Sequence, residues 1–270
     1  MPRPPVPSPP DRRSLDARAA VVTELSGGRT VLRTLRSDPP LTLRQTGPAI
    51  GPATGSATVH LVSTAAGPLG GDRLELRIDV APGTSLELAS VASTLVLPGP
   101  SEWGPGESVA IVEARVGAGA SLRYAPEPVV LAAGSAHRMI VRLAMDEGAS
   151  VYWREEIVFG RYGERPGTCH ARFDATIRGV PLLRQEFVVG DPAVDGSPAV
   201  YGDARCVGSL LVAGPRPPAV KSPPEAVVGE GCAVLPLAGP GTLVSALAPD
   251  APTLRERLAW GESYCDSGRS

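Results

Sequence analysis

The sequence predicts a mainly β protein: a single elongated domain of stacked, largely antiparallel strand units, β-helix-like or sandwich-like, ending in a short C-terminal helix. Three observations carry this prediction. The 270 residues include 31 glycines and 30 prolines, a usage that favours short elements joined by turns over long helices. Apolar residues recur at every second position through most of the chain, the period of a strand with one buried face. Finally, LELRIDVAPGTSLELAS (74–90), VAIVEARVGAGASLRYA (109–125) and MIVRLAMDEGASVYWRE (139–155) repeat one pattern: alternating strand, turn with glycine and a small residue, alternating strand.

Residues 1–14 are Pro-rich without hydrophobic periodicity and are expected to form a disordered tail, leaving 15–270 as one β-rich domain. ARAAVVTEL and RTVLRTLRS, joined by Ser26, Gly27 and Gly28, read as a hairpin. LTLRQ and ATVHLVST follow as strands on either side of the loop TGPAIGPATGS. In the repeats the turn glycines Gly83, Gly119 and Gly148 recur about every 30 residues, and FDATIRGVPLLRQEFVV with Gly179 is a fainter fourth copy. Such units bury an apolar face only against a neighbour, so they predict one continuous β architecture without βαβ crossovers. After residue 190 the chain turns to loops and shorter strands, with a Pro-rich stretch, GPRPPAVKSPPEAV. PTLRERLAW, with Thr253 and Glu256 at capping-box spacing and Leu254 and Leu258 at i,i+4, predicts the C-terminal helix.

Several function classes drop out. A formal charge of −2 provides no basic footprint for nucleic acid or an anionic membrane. The apolar runs are shorter than the ~20 residues of a spanning helix, and the N-terminus lacks a signal-peptide core, so a cytoplasmic location is expected. Cys169, Cys206, Cys232 and Cys265 lack zinc or redox spacing and are expected to be reduced thiols. GPLGGDRLELRI (67–78) raises the question of a phosphate cradle, but it lacks the lysine and hydroxyl of a P-loop, and a strand follows its glycines where a dinucleotide fingerprint needs a helix. There is no GxSxG or HExxH, and His60, His137 and His170 sit in or beside strand patterns, where a structural or surface role is expected. Cys169 and His170 are adjacent on a strand and so point to opposite faces.

What remains is a set of polar residues embedded in β segments: Ser63, Thr64, Asp72, Ser93, Thr94, Glu127, Glu155, Glu156, Arg161 and Glu164. Consecutive Glu155 and Glu156 must face opposite sides of a strand, and a carboxylate that faces inward must be paired or hydrated. A partner site or a polar interior path is one reading. Two rivals are a ligand-binding module, for example carbohydrate-binding, and an enzyme using Glu155, Glu156 and Glu164 as acid/base pairs. Against the first, aromatics are only 4% of the chain, and sugar sites use aromatic platforms. For the second, the carboxylates would have to converge across ~5–9.5 Å in a cleft.

STAAGPLGGDRLELRIDVAPGTSLELAS resembles the signature of the urease accessory protein UreD (UreH) family, and YAPEPVVLAAGSAH followed by GASVYWREEIVFGRYGE is similar to its second signature. RTVLRTLRSDPPLTLRQT is similar to the family's N-terminal hairpin. In this light GPLGGDRLELRI is a structural turn: Gly70 and Gly71 permit the bend, Asp72 accepts backbone hydrogen bonds within it, and Leu74, Leu76 and Ile78 face the core. The resemblance implies a non-enzymatic scaffold that binds UreF, engages the GTPase UreG through it, docks on apo-urease and assists nickel delivery. It implies no tightly bound cofactor, with nickel as a transient passenger along a water-filled internal path. Carried onto this chain, the path or its mouth falls on Asp72, Ser93, Thr94, Glu127, Glu156 and Glu164, and the structural turns on Gly70, Gly71, Gly83, Gly119 and Gly148. No metal ligands are assigned.

Overall fold

The computed structural model describes residues 14–47, 55–99, 106–215 and 225–266. The Pro-rich tail predicted over 1–14 falls outside them apart from Ser14, as do much of the loop TGPAIGPATGS and most of GPRPPAVKSPPEAV. β1 (Asp16–Ser26) and β2 (Arg29–Arg36) form the predicted hairpin, and β3 (Leu41–Gly47) and β4 (Ser56–Ser63) form another.

The three repeats are β5 (Arg73–Val80) with β6 (Ser85–Ser90), β8 (Glu107–Val116) with β9 (Ser121–Ala125), and β11 (Ala136–Met145) with β12 (Ser150–Val158). The two strands of each repeat do not pair with each other. The first joins a seven-stranded sheet and the second an eleven-stranded sheet, so each repeat is an arch between two sheets. Successive arches stack in register: β5, β8 and β11 pair in parallel in one sheet, and β4, β6, β9 and β12 in the other.

This corrects the expectation of largely antiparallel units. The stacked, solenoid-like arrangement holds, but its centre is parallel, and antiparallel pairs are confined to the flanks. Alternation shows that a strand has one buried face; it does not show which strand lies beside it. The arch is made by its turn. In each, the residue after the glycine is buried (Thr84, Ala120, Ala149) and its N–H donates back to the carbonyl three residues earlier, at 3.0–3.2 Å. Gly148, at φ 74°, occupies the left-handed region that this geometry needs, as do its two counterparts.

The fourth copy is different. β13 (Thr168–Ile177) and β14 (Val180–Val189) pair antiparallel across only Arg178 and Gly179, both at positive φ, which is the twist of a two-residue hairpin. β14 thereby ends the seven-stranded sheet. The chain then makes a one-turn helix, α1 (Pro192–Asp195), which periodicity did not predict, and returns as β15 (Cys206–Ala213), β16 (Val227–Gly229), β17 (Cys232–Pro236) and β18 (Gly241–Ala248). These extend the second sheet antiparallel beyond β12.

Between the sheets lies the main core. Rows such as Leu76, Val112, Val141 and Phe173 on one side face Leu88, Tyr124 and Trp153 on the other. Tyr124 stacks on Trp153 with ring centroids 4.1 Å apart. The helix α2 (Ala251–Asp266) covers the outer face of β15, β17 and β18, burying Leu254 and Leu258. Its cap is not the predicted Thr253: Asp250 accepts a hydrogen bond from the Thr253 N–H at 2.8 Å, so Thr253 already stands inside the first turn.

The turn at 67–72 does what the sequence suggested. Asp72 is buried, and its carboxylate accepts from the N–H groups of Leu69 at 2.9 Å and Leu15 at 3.0 Å. Gly71 takes φ 91°, whereas Gly70 is needed for a different reason: a Cβ there would lie 2.5 Å from the Gly106 carbonyl oxygen. No helix among the described residues is long and apolar enough to cross a membrane.

Candidate functional site

The second sheet is interrupted beside β12. β9 ends at Ala125, and pairing with β12 resumes only in β10 (Val129–Leu131), which also pairs with β7 (Thr94–Val96). Between them stands Pro126-Glu127-Pro128, and two prolines that lack N–H groups cannot continue a ladder. Ser90 instead accepts a hydrogen bond from the Glu127 N–H at 2.8 Å, and the Thr94 N–H donates to the Pro128 carbonyl at 3.0 Å.

Behind this break the core opens into a cavity of about 120 Å³, lined by Ser90, Thr94, Tyr124, Glu127, His137, Met139, Glu155 and Glu156 among apolar neighbours. That is room for several water molecules. Glu155 occupies the stretch of β12 that pairs with β15 on one side, opposite Ser209, and has no strand partner on the side of the break. Val151 and Trp153 on its own strand face the core, so the alternation sends Glu155 there as well.

Glu155 is partly buried against the cavity, and desolvation raises its carboxyl from 4.5 to about 7. The Trp153 indole pulls the other way, and its N–H is buried without a hydrogen-bond partner. A second, water-sized space of about 10 Å³ lies on the far side of Glu155 and Met139, against Phe173, Gln185 and Phe187. There the Gln185 side-chain oxygen is buried without a hydrogen-bond partner. Polar groups thus run from Glu127 past Glu155 to Gln185 on the edge strand β14.

His137 faces the cavity from the opposite sheet. Its Nδ1 is 2.8 Å from the buried Ser108 hydroxyl, and burial, opposed by Ser108 and the Glu107 charge, lowers its imidazole from 6.5 to about 4. At neutral pH the ring is uncharged. Cys169, beside His137 in the next strand, is pushed up to about 12 by burial and by the charges of Glu155 and Glu107, so it stays a thiol. His170, its neighbour, is exposed on the outer face as the alternation required.

Glu156 takes the opposite face, under α2. Its side chain is fully buried between two arginines: Oε1 is 3.0 Å from Arg154 Nε, and Oε2 accepts from Arg255 Nε at 3.3 Å. The same Arg255 guanidinium bonds Glu127 Oε2, so one side chain of α2 spans two carboxylates at the cavity's edge. Tyr152, on the same face as Glu156, donates its hydroxyl to Glu262 at 3.0 Å, further along the helix.

Of the six residues expected along the path, Thr94, Glu127 and Glu156 line this cavity. The other three lie elsewhere. Asp72 is engaged in its turn, Ser93 is exposed, and Glu164 sits in a surface turn where Arg161 holds its carboxyl down to about 2. The resemblance implies Ser93 and Glu164 for the path, whereas here Ser93 is exposed just before β7 and Glu164 lies in the turn after β12. Glu155, His137, Tyr124 and Arg255 were not among the six. The core positions of Val151 and Trp153 mark Glu155 as the inward member of its pair; nothing local marks Arg255, which lies 128 residues from Glu127. Glu155 and Glu156 leave β12 on opposite faces although both border the cavity, Glu156 is held by Arg154 and Arg255, and Glu164 stands apart in a surface turn paired with Arg161. Among the described residues the exposed aromatic side chains are Tyr162 and Tyr264, which form no shared platform.

The chain is similar to known proteins over nearly its whole length. The family model described as UreD urease accessory protein matches residues 15–261. Urease accessory protein UreD of Frankia casuarinae is 44% identical, across 93% of this chain and 89% of that protein. UreD of Streptomyces avermitilis is 41% identical across 86% and 89%, and UreD 1 of Saccharopolyspora erythraea is 38% identical across 90% and 92%. With the stacked arches, the Gly-Gly-Asp turn and a match of this extent in hand, the chain belongs to the UreD urease accessory protein family.

Proposed function

We propose that this protein is a non-enzymatic, cytoplasmic scaffold of urease maturation that joins UreF, engages UreG through it, docks on apo-urease and carries nickel through the space between its two sheets. Family membership supports the maturation role. One observation supports the passage: Glu155, a partly buried carboxylate on the core-facing side of β12, borders a cavity large enough for water and also the smaller space that Gln185 lines at the edge strand.

Nickel is cargo in this reading. It accepts carboxylate, neutral imidazole and water, all of which Glu155, His137 and a hydrated cavity could offer. Among the described residues no three His, Cys, Asp or Glu side chains gather as a metal centre.

The test is co-expression of urease with its accessory proteins, with and without this chain, measuring activity and nickel per urease. Both should collapse without it while apo-urease still assembles. Glu155→Gln, which preserves shape and removes the charge, should lower nickel content at unchanged scaffold level. Nickel content indifferent to the whole chain would overturn the maturation role; indifference to Glu155→Gln alone would overturn the route.

A further inference from the structure

We infer that the outer edge of β14 is a self-pairing surface: a second copy of this chain adds its own β14 antiparallel across a two-fold axis at Gln185, joining the seven-stranded sheets of the two copies. The inference stands apart from the maturation role and involves no metal.

Among the described residues no strand lies beyond β14, so alternate backbone groups along it face outward. Which ones follows from its neighbour. The Thr168 N–H of β13 donates to the Ser135 carbonyl, on the β11 side, at 2.8 Å. Even-numbered residues of β13 therefore bond β11, and odd-numbered ones bond β14. Phe173 pairs with Gln185 and Ala171 with Phe187, which leaves the N–H and C=O groups of Arg184, Glu186 and Val188 on the outer side. In keeping with this parity, the Tyr201 hydroxyl donates to the Val188 carbonyl at 2.8 Å and closes that end of the edge. At the other end Pro181 has no N–H to offer. Between them a short window is left for one more strand.

The side chains in that window select a second copy. Antiparallel pairing about Gln185 sets Arg184 opposite Glu186 of the other copy, twice over. These are the residues whose backbone groups face outward, so each such pair exchanges two hydrogen bonds. Both side chains are accessible to a partner, Arg184 at 71% and Glu186 at 66% exposure. Shifting the axis to Arg184 or to Glu186 would set like charges against each other. An edge guarded by charges of one sign repels its own copy; this pair of opposite sign attracts it in one register. On the inner face, the Gln185 side-chain oxygen is buried without a hydrogen-bond partner in the single chain. At the axis it meets the other copy's Gln185 amide, in a non-hydrogen-bonded pair where side chains approach closely.

Sedimentation velocity of the full chain over a concentration series tests this. The unsubstituted protein should pass from the mass of one chain to that of two. Glu186→Arg and Arg184→Glu should each weaken the dimer by about tenfold or more, because each sets like charges opposite one another at both symmetric positions. Mixed in equal amounts, the two variants should pair again, since one brings two arginines and the other two glutamates. Circular dichroism checks that both keep the fold. Hydrogen exchange of the unsubstituted chain needs no variant: the Arg184 and Glu186 amides should be protected at high concentration and exchange on dilution. A single-chain mass at every concentration overturns the inference, as do unprotected amides in a dimer. So does a dimer that neither charge reversal weakens, which places the association on another surface.

Discussion

Glu155 and Glu156 are adjacent in the chain and face opposite sides of one sheet: the first enters the inter-sheet cavity beside Trp153, and the second is clamped by Arg154 and Arg255 beneath the C-terminal helix. One peptide bond therefore separates a carboxylate whose charge is opposed by burial from one whose charge is neutralised by two cations. The two should behave differently when pH or sequence is changed.

For Glu155 the folded state favours the proton. Its carboxyl is raised from 4.5 to about 7, so between these values the native protein holds a proton that the unfolded chain has released. The group's contribution is fully present below pH 4.5 and is lost as pH rises through 7. Glu155→Gln should therefore gain stability relative to the unsubstituted protein across this window, by on the order of 3 kcal/mol at pH 8. Urea unfolding at a series of pH values checks it; parallel curves for the two proteins would sink the prediction.

His137 has the opposite sign. Burial lowers its imidazole from 6.5 to about 4, so its contribution is present above pH 6.5 and is lost as pH falls toward 4. Between pH 4.5 and 6.5 the two slopes offset each other in the unsubstituted protein. In Glu155→Gln the offset is gone, and stability should rise with pH there; a double variant that adds His137→Gln should flatten that rise.

Asp72 and Glu164 should separate folding from transport. Asp72 holds the Leu15 and Leu69 N–H groups, and Asp72→Ala should destabilise the protein by about 2–3 kcal/mol by leaving buried donors unpaired. Any loss of urease activation should then follow loss of soluble protein. Glu164→Gln, in a surface turn, should leave nickel per urease unchanged. A folded Asp72→Ala at full level that still fails to support nickel loading would contradict the purely structural role.

Gly70→Ala should be among the costliest small substitutions. The added carbon would stand 2.5 Å from the Gly106 carbonyl oxygen and 2.9 Å from the Gly99 nitrogen, both backbone atoms that cannot swing away. A cost of about 3 kcal/mol is expected. Gly27→Ala, in an open hairpin turn with nothing within 4 Å, carries only backbone strain of about 1 kcal/mol. Thermal unfolding of the two variants compares them directly.

Much of the local structure was legible before any coordinates. Alternation located the strands, the paired glycines at 27 and 28 marked a hairpin, and Leu254 with Leu258 marked the face of a helix that does bury them. Glycine followed by a small residue marked the three repeated turns, because only a left-handed residue and a slim buried one fit that corner. The alternation separates Glu155 from Glu156 without saying which faces inward, and the resemblance pointed to Glu156; the core positions of Val151 and Trp153 identify Glu155.

By itself, then, the sequence determined a mainly β chain of repeated units, the family, and the alternating faces of each strand, because side-chain period and turn conformation are local properties. Tertiary structure alone decided that each repeat is an arch with its strands in different sheets, that their stacking is parallel, and that Arg255 meets Glu127 and Glu156. Those outcomes depend on which distant segments pair. A ladder of backbone hydrogen bonds accepts almost any strand as its neighbour, and the pairing is settled by how all the apolar faces are buried together.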